Sequence, residues 1–191
     1  MIELKAELNS PERKKLFNPR FALKSLGVTS GMYVADVGCG TGFFTFPLSR
    51  IVGEEGKVFA IDISPHMLKD VRRLIQKEKL KNVRVILSKE NKIPLESKKV
   101  DFCLLASVVH ELENPKLFFK ELKRILKNNG KLGIIEWKKI PSPLGPPLKE
   151  RISLLEMEKI IKQNKLKIEK IIGLGKYNYG LVASFPNQFL K

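Results

Sequence analysis

A carboxylate and three glycines share one short stretch, YVADVGCGTGFFT (33–45), in which Asp36 is followed by glycine at positions 38, 40 and 42. The apolar residues before Asp36 predict a buried strand, and the glycines predict a turn whose backbone approaches a ligand closely. A second carboxylate, Asp62, ends the next apolar run, VFAID. This arrangement is typical of a nucleoside site, since an acid at the second position can accept hydrogen bonds from both ribose hydroxyls.

Two classes of cofactor fit this geometry. Dinucleotide-binding enzymes use G-x-G-x-x-G, which would place glycine at position 43, but the residue there is Phe43 and the third glycine is Gly42. Asp36 suits a positively charged amino-acid group better than a pyrophosphate. The pattern favours a nucleoside with a positive charge, bound against main-chain amides of residues 36–42 that we expect to be unpaired. A nicotinamide (NAD)-dependent oxidoreductase is the alternative from another class.

The elements that position these residues alternate between strand and helix, which predicts an α/β fold with a mostly parallel sheet. Apolar runs rich in β-branched residues predict strands over 33–37, 57–61, 83–87, 100–105 and 131–136. Helices are predicted from Ser64 to about residue 80, from Asn114 to a stop at 128–130, and from Ser153 onward. The stretches 167–174 and 179–185 predict a terminal hairpin. We expect one domain over 1–191, with an N-terminal helical cap over 1–30 and a Pro-rich loop over 139–149.

Three motifs together, VADVGCGTGFFT, VFAIDISPHML and VDFCLLASVVHEL, resemble the class I S-adenosylmethionine-dependent methyltransferases. The resemblance covers roughly residues 15–137 and is strongest to the methyltransferases of quinone biosynthesis and of small molecules. It implies a Rossmann-like, doubly wound, mostly parallel seven-stranded sheet with an antiparallel C-terminal hairpin strand. It also implies S-adenosyl-L-methionine as the cofactor and S-adenosyl-L-homocysteine as the product.

The resemblance implies a cofactor site made of Asp36, Gly38, Cys39, Gly40, Thr41, Asp62, Ile63, Met67, Lys89, Glu90 and Ala106. Asp36 and the glycine backbone would face the methionine part of the cofactor, and Asp62 would bind the ribose. The adenine edge would be bound at Lys89 or Glu90, and Ala106 would offer its carbonyl to the cofactor's amino group.

Methyl transfer from a sulfonium needs mainly alignment, and a base only where the acceptor must lose a proton. His110, just past the fourth predicted strand, is the candidate base, and a role in lining the substrate pocket is its alternative. The sequence has no N/D-P-P-[YFW] motif after that strand and no Pro-Cys loop, which disfavours amino-methylation of adenine or glutamine and cytosine-C5 chemistry. We therefore expect a small acceptor with an oxygen or carbon nucleophile, in a pocket walled by the Pro-rich loop and residues 17–21.

The net charge of +16 comes from 36 basic and 20 acidic residues. Of the basic residues 28 are Lys and 8 are Arg, scattered along the chain, which favours a solvated surface over a polyanion site because Arg recognises phosphate better. An RNA or protein methyltransferase that uses the basic surface stays as the alternative function. The two cysteines predict neither a disulfide nor a zinc site, and no metal is expected. Without an apolar leader or a membrane-length apolar run, we expect a cytoplasmic protein, and no feature predicts its oligomeric state.

Overall fold

The computed structural model describes residues 11–186, apart from the side chains of Pro11, Arg13 and Lys14. Residues 1–10 of the predicted N-terminal cap lie outside this part. The strands are β1 (Tyr33–Val37), β2 (Lys57–Asp62), β3 (Val83–Leu87), β4 (Val100–Ala106), β5 (Leu126–Trp137), β6 (Lys167–Leu174) and β7 (Asn178–Ser184). The α-helices are α1 (Pro11–Leu16), α2 (Pro19–Ser25), α3 (Thr45–Val52), α4 (Pro65–Glu78), α5 (Pro115–Ile125) and α6 (Leu154–Gln163). Two short 3₁₀ helices cover Val109–Glu111 and Leu148–Glu150.

Within the described residues the strands form one seven-stranded sheet in the order β3-β2-β1-β4-β5-β7-β6. The strands β1 to β5 are parallel, and β7 runs antiparallel between β5 and β6. The predicted fold, including the antiparallel C-terminal hairpin, is confirmed. The strand order reverses between β1 and β4, which is where ligands bind at the carboxyl edge of such sheets.

Hydrophobic cores cover both faces of the sheet. Val34 packs into the core beneath α2 and α3, whereas Ala35, its neighbour along β1, packs into the core beneath α5 and α6. This alternation follows from the opposite directions of successive side chains along a strand. The central strands are thus buried on both faces, which leaves the carboxyl edge of the sheet for a site. Among residues 11–186, no helix combines the length and hydrophobicity that a transmembrane span requires.

The helix starts follow the sequence signals. The Ser64 and Asn114 side chains each accept a hydrogen bond from the backbone amide three residues on, and a proline occupies the first helical position after each. Ser153 and Glu156 form a reciprocal capping box at the start of α6.

The predicted stop of the second long helix at 128–130 is wrong. Helix α5 ends at Ile125, and the chain enters β5 at the next residue. Buried Leu126 pairs with Val100 of β4, and the ladder then shifts register before Lys131. The polar residues 127–129 therefore mark an irregular strand and do not cap a helix, because the tertiary pairing of Leu126 overrides the local turn signal.

Candidate active site

A cavity of about 540 Å³ opens at the carboxyl edge of the sheet, where the strand order reverses. It is lined by every predicted site residue except Lys89: Asp36, Gly38, Cys39, Gly40, Thr41, Asp62, Ile63, Met67, Glu90, Ala106 and His110. The fold thus brings together side chains that are up to 74 positions apart in the sequence.

The turn after β1 needs glycine at position 38. Its backbone has φ +71°, and a Cβ atom there would lie 2.5 Å from Cγ2 of Val108, a cavity-lining residue that follows the neighbouring strand β4. A side chain would therefore be strained and would also clash with the cavity wall. The close approach of this turn to a ligand stays a prediction; the close neighbour that requires glycine in this structure is Val108.

The expectation of unpaired amides in this turn is wrong. The amides of Gly38 and Cys39 both donate to the carbonyl of Ile61, at 2.8 and 3.0 Å. The amide of Gly40 donates to Asp62 Oδ2 at 2.8 Å. These bonds tie the turn to the end of β2 and occupy amides that a pyrophosphate would require, while the carboxylates of Asp36 and Asp62 belong to the cavity lining as acceptors. Such a lining suits a cation and not a pyrophosphate.

Asp62, at the end of β2, is fixed on two sides. Besides the bond from Gly40, its Oδ1 accepts a hydrogen bond from the amide of Ser64 at 2.8 Å. The side chain is 8% exposed and lines the cavity. A carboxylate has four lone pairs, so both oxygens keep acceptor capacity for the two hydroxyls of a ribose.

Asp36 is almost fully buried at 1% exposure, and its Oδ2 accepts a 2.6 Å hydrogen bond from the Thr45 hydroxyl at the start of α3. The pKa of Asp36 is raised to about 7, chiefly by burial; the Thr45 hydrogen bond opposes this rise and the nearby Asp62 charge adds to it. A cation bound beside Asp36 would favour the ionised form and reverse this effect. The carboxylate is held where it is costly to ionise without a positive ligand.

The cavity is acidic although the chain is strongly basic. No Lys or Arg lines it within the described residues, and its acidic residues are Asp36, Asp62, Glu90, Glu111 and Glu113. The chain as a whole carries a charge of +16. The segregation of charge fits a cationic ligand, so the residues present fit S-adenosylmethionine, whose sulfonium and amino groups are positive.

Of the two residues predicted to contact adenine, Glu90 lines the cavity and Lys89 does not. Lys89 does not line the cavity; its amide and carbonyl pair with those of Lys92 across a tight turn. Its neighbours Ser88 and Glu90 do line the cavity, and Glu90 Oε1 accepts a hydrogen bond from the amide of Asn114 at 3.2 Å. The turn keeps Lys89 out of the cavity lining, and the contact of Glu90 with adenine stays a prediction.

His110 forms a buried pair that the sequence analysis missed. Its Nδ1 lies 3.0 Å from Oε2 and 3.2 Å from Oε1 of Glu136, near the end of β5. The Glu136 side chain is 1% exposed and its Oε1 also accepts the amide of Val109 at 3.0 Å. An acid inside the apolar run GIIEW was the available signal, as Asp36 is in YVADV.

The far end of the cavity is apolar. Trp137, Leu144, Gly145, Pro146 and Pro147 line it, so the predicted Pro-rich loop does form a wall. Gly145 has φ +96° and packs flat on the indole, where a Cβ would lie 2.7 Å from Trp137 Cδ2. The other predicted wall is wrong: Phe17 packs behind Phe44, with ring centroids 5.7 Å apart, outside this cavity, and Phe21 is 60% exposed.

Arg151 holds this loop in place. Its buried guanidinium donates hydrogen bonds to the carbonyls of Lys138, Ile140, Leu144 and Pro146, at 2.6–3.3 Å. It also lies 5.4 Å from the centroid of the Trp137 ring. Because one rigid fork satisfies four carbonyls, the loop takes a defined shape without regular secondary structure.

A family model described as a methyltransferase domain matches residues 28–174, from the loop before β1 to the end of β6. The chain belongs to this methyltransferase family. The resemblance to class I S-adenosylmethionine-dependent methyltransferases is thereby confirmed.

Similar proteins include both solved structures and curated relatives. The crystal structure of a SAM-dependent methyltransferase from Aquifex aeolicus is 41% identical, with a TM-score of 0.91 over 95% of this chain and 96% of that chain. A demethylmenaquinone methyltransferase from Staphylococcus aureus is 32% identical over 128 residues, 65% of this chain and 51% of the relative. A ubiquinone/menaquinone biosynthesis C-methyltransferase from Shewanella pealeana is 35% identical over 121 residues, 63% of this chain and 48% of the relative. This methyltransferase chain spans about half the length of those curated relatives.

Proposed function

We propose that this methyltransferase transfers a methyl group from S-adenosylmethionine to a small, uncharged, largely apolar acceptor that presents an oxygen or carbon nucleophile. The observation that carries the proposal is the acidic cavity of a basic protein, with Asp36 and Asp62 fixed at the switch point of the sheet. When bound, the cofactor supplies the methyl group on a positively charged sulfur.

Different residues of the cavity bind different parts of the cofactor. Asp62 accepts hydrogen bonds from the ribose hydroxyls, and buried Asp36 attracts the positive methionine end. Glu90 accepts from the adenine amino group, and exposed Ile63 with buried Met67 covers the nucleoside. Carbonyl groups of the turn and of Ala106 accept from the ammonium group.

The acceptor occupies the apolar end, between Trp137 and the 3₁₀ helix that carries His110. The wall there is made of Val108, Leu112, Phe118, Trp137 and the loop residues 144–147. Alignment of the acceptor atom with the methyl carbon and the sulfur can lower the activation barrier by about 7–11 kcal/mol, so alignment accounts for most of the catalysis. His110 takes the proton that the acceptor loses.

Two observations favour an uncharged acceptor. In the described residues no Lys or Arg lines the cavity to receive a carboxylate or phosphate, and the acidic side chains of the lining disfavour an anion there. The curated relatives carry names that refer to demethylmenaquinone and to ubiquinone and menaquinone biosynthesis, which are apolar compounds. The same acidity disfavours RNA as the acceptor, although the basic outer surface could still attract it.

The oxidoreductase alternative is disfavoured by the turn itself. A dinucleotide pyrophosphate needs free amides at the glycine-rich turn, and those of Gly38, Cys39 and Gly40 are already bonded within the protein. Thermal-shift comparison of S-adenosylhomocysteine with NAD separates the two classes: the first should raise the melting temperature and the second should not.

Binding is tested by calorimetry with S-adenosylhomocysteine on the wild type, Asp62→Ala and the control Asp70→Ala. Asp62→Ala should lose one or two charge-assisted hydrogen bonds, about 1.5–3 kcal/mol each, which is at least a tenfold loss of affinity. Asp70→Ala removes an equal charge on α4, beside Arg73, and should bind as the wild type does. Equal affinity of all three proteins would reject the ribose role of Asp62.

Transfer is tested with labelled S-adenosylmethionine and three classes of acceptor: oxidised and reduced demethylmenaquinone, simple phenols, and total RNA at low salt. Reduced demethylmenaquinone or a phenol should be labelled, because an electron-rich ring can attack a methyl cation equivalent and an oxidised quinone cannot. Labelling of RNA alone would replace the small-molecule proposal with the RNA alternative.

A further inference from the structure

The hydrogen bonds between Glu136 and His110 fix the orientation of the imidazole ring, which burial alone would not do. The 3₁₀ helix Val109–Glu111 follows β4, and Glu136 reaches it from β5, the adjacent parallel strand. One Glu136 oxygen binds both the amide of Val109 and the ring of His110, so the same carboxylate sets the backbone position and the ring direction.

The hydrogen bonds also decide which ring nitrogen carries the proton. Glu136 faces Nδ1 with two oxygens at 3.0 and 3.2 Å, and a carboxylate is an acceptor, so the proton belongs on Nδ1. Nε2, on the opposite edge of the ring, then keeps its lone pair. His110 lines the cavity whereas Glu136, at the Nδ1 edge, does not, so the Nε2 edge is the one on the cavity side; the carboxylate of Glu111, another lining residue, lies 3.9 Å from Nε2.

We propose that Glu136 is the positioning residue for the general base of this methyltransferase: it holds His110 with its proton on Nδ1 and the lone pair of Nε2 toward the acceptor. The inference rests on the proposed function for its catalytic meaning. The proton moves from the acceptor to Nε2, and the freed electron pair of the acceptor forms the bond to the methyl carbon. The pair of the broken methyl–sulfur bond stays on sulfur, and the imidazolium afterwards returns its proton to water.

The charged groups that act on the His110 ring are all carboxylates, those of Glu136, Glu111 and Glu150. Burial lowers the pKa of His110, but the hydrogen bond and charge of Glu136, followed by the charges of Glu111 and Glu150, outweigh burial and raise it above 6.5. Tyr179 of β7 lies near Glu136 as well, and its hydroxyl donates to the carbonyl of Ile152. Glu136 thus stabilises the imidazolium that forms when the base accepts a proton, as the acid partner of a histidine does in hydrolytic triads.

The chain suits a direct test, because it has only two histidines and His66 is exposed. Nitrogen-15 NMR of histidine-labelled, ligand-free protein reports the tautomer and titration of each ring, with His66 as the internal reference. In the wild type, neutral His110 should carry its proton on Nδ1. In Glu136→Gln the titration midpoint of His110 should fall by about one pH unit, because a charged partner is lost.

Two further variants make the result specific. Glu150→Gln removes an exposed, more distant acid and should leave the His110 midpoint within about a quarter of a pH unit. Glu136→Asp keeps the charge and should keep the raised midpoint, which separates the charge of residue 136 from any loss of packing or of folding in Glu136→Gln. A proton on Nε2 in the wild type, or equal midpoints in Glu136→Gln and Glu150→Gln, overturns the proposal.

The catalytic role of the His110–Glu136 pair is tested by measuring the rate of methyl transfer as a function of pH, with reduced demethylmenaquinone as the acceptor. Glu136→Gln should lower the maximal rate about tenfold to a hundredfold and move the acidic limb of the profile to lower pH, with the KM for S-adenosylmethionine unchanged. A residue that only supports the fold would lower the rate without moving the limb. Absence of S-adenosylhomocysteine binding in the wild type would reject the proposed function instead, and the NMR result would be unaffected by that.

Discussion

The two ends of the cavity are built in different ways. The end proposed to bind the cofactor, here the cofactor end, consists of a turn and two carboxylates at the ends of β1 and β2, which are tied together by hydrogen bonds from the amides of residues 38–40. The end proposed to bind the acceptor, here the acceptor end, consists of a loop without regular structure, which Arg151 holds over Trp137. Backbone pairing of the sheet fixes the first end, whereas side chains fix the second, chiefly Arg151 and in addition Ser142 and Lys139. We therefore expect the cofactor end to resist change until its backbone is disturbed, and the acceptor end to loosen when one side chain is replaced.

The largest effect is expected for Gly38→Val. The branched side chain would stand where Val108 Cγ2 already lies, 2.5 Å from the new Cβ, in a conformation that valine disfavours. Calorimetry should show the affinity for S-adenosylhomocysteine reduced by about 100-fold or more. Gly173→Val is the control, because a Cβ there meets nothing within 4 Å. A folded Gly38→Val protein with normal affinity would show that the turn has room to move.

The second prediction concerns Asp36 and pH. Its pKa is raised from 3.8 to about 7 in the ligand-free protein, and a bound cation favours the ionised carboxylate. Wild-type affinity for S-adenosylmethionine should therefore rise with pH, by up to about tenfold per pH unit between pH 5 and 7, and then level off. Binding near pH 6 should release a proton, which calorimetry in two buffers of different ionisation enthalpy detects. Asp36→Asn should bind more weakly at pH 8 and show neither effect.

The same carboxyl group makes a matching prediction for stability. With a raised folded pKa, the native protein holds more protons than the unfolded chain between about pH 4 and 7, so its unfolding free energy falls as pH rises through that window. Relative to wild type, Asp36→Asn should gain up to about 2.5 kcal/mol of stability from pH 5 to pH 8, because about two pH units separate pH 5 from the folded pKa of about 7, at about 1.4 kcal/mol each. Denaturant unfolding of both proteins at the two pH values gives the difference. A difference in unfolding free energy that does not change with pH would show that the pKa of Asp36 is not raised in the folded protein.

The smallest effect on cofactor binding is expected for Arg151→Gln. The loop should lose three or more of its bonds to the guanidinium, and amide hydrogen exchange over 138–147 should become about tenfold faster. Affinity for S-adenosylhomocysteine should stay within about twofold, because the cofactor end does not depend on the loop. Arg50→Gln, which removes an exposed cation from α3, is the control for charge. Equal exchange over 138–147 in the two variants would mean that Arg151 does not hold the loop, and a clear loss of affinity in Arg151→Gln would mean that the two ends are not independent.

The cofactor end could be predicted from sequence because its parts are local. Asp36 and the glycines that follow it are contiguous, Asp62 lies at the end of the next strand, and strand ends meet at one edge of a parallel sheet. The hydrogen bonds of the turn were not predictable, because the carbonyl of Ile61 comes within reach of residues 38 and 39 only after β1 and β2 have paired.

The acceptor end needed contacts that no local pattern encodes. Glu136 meets His110 across two strands, and Arg151 reaches back over the loop to Trp137. Phe17 is aromatic, as many pocket-lining residues are, but the position of α2 places it behind Phe44. The prediction for Lys89 was wrong because a shift of one residue in a tight turn decides which side chain lines the cavity.

Trp137 is the only tryptophan in the chain, and its ring lies against the loop at the apolar end of the cavity. All indole emission therefore originates at the place where the acceptor is proposed to bind. Water reaching the ring shifts that emission to longer wavelength, and an aromatic compound stacked nearby quenches it. The methyltransferase thus carries its own optical reporter, with which unlabelled compound collections can be screened for acceptors before any chemistry is measured.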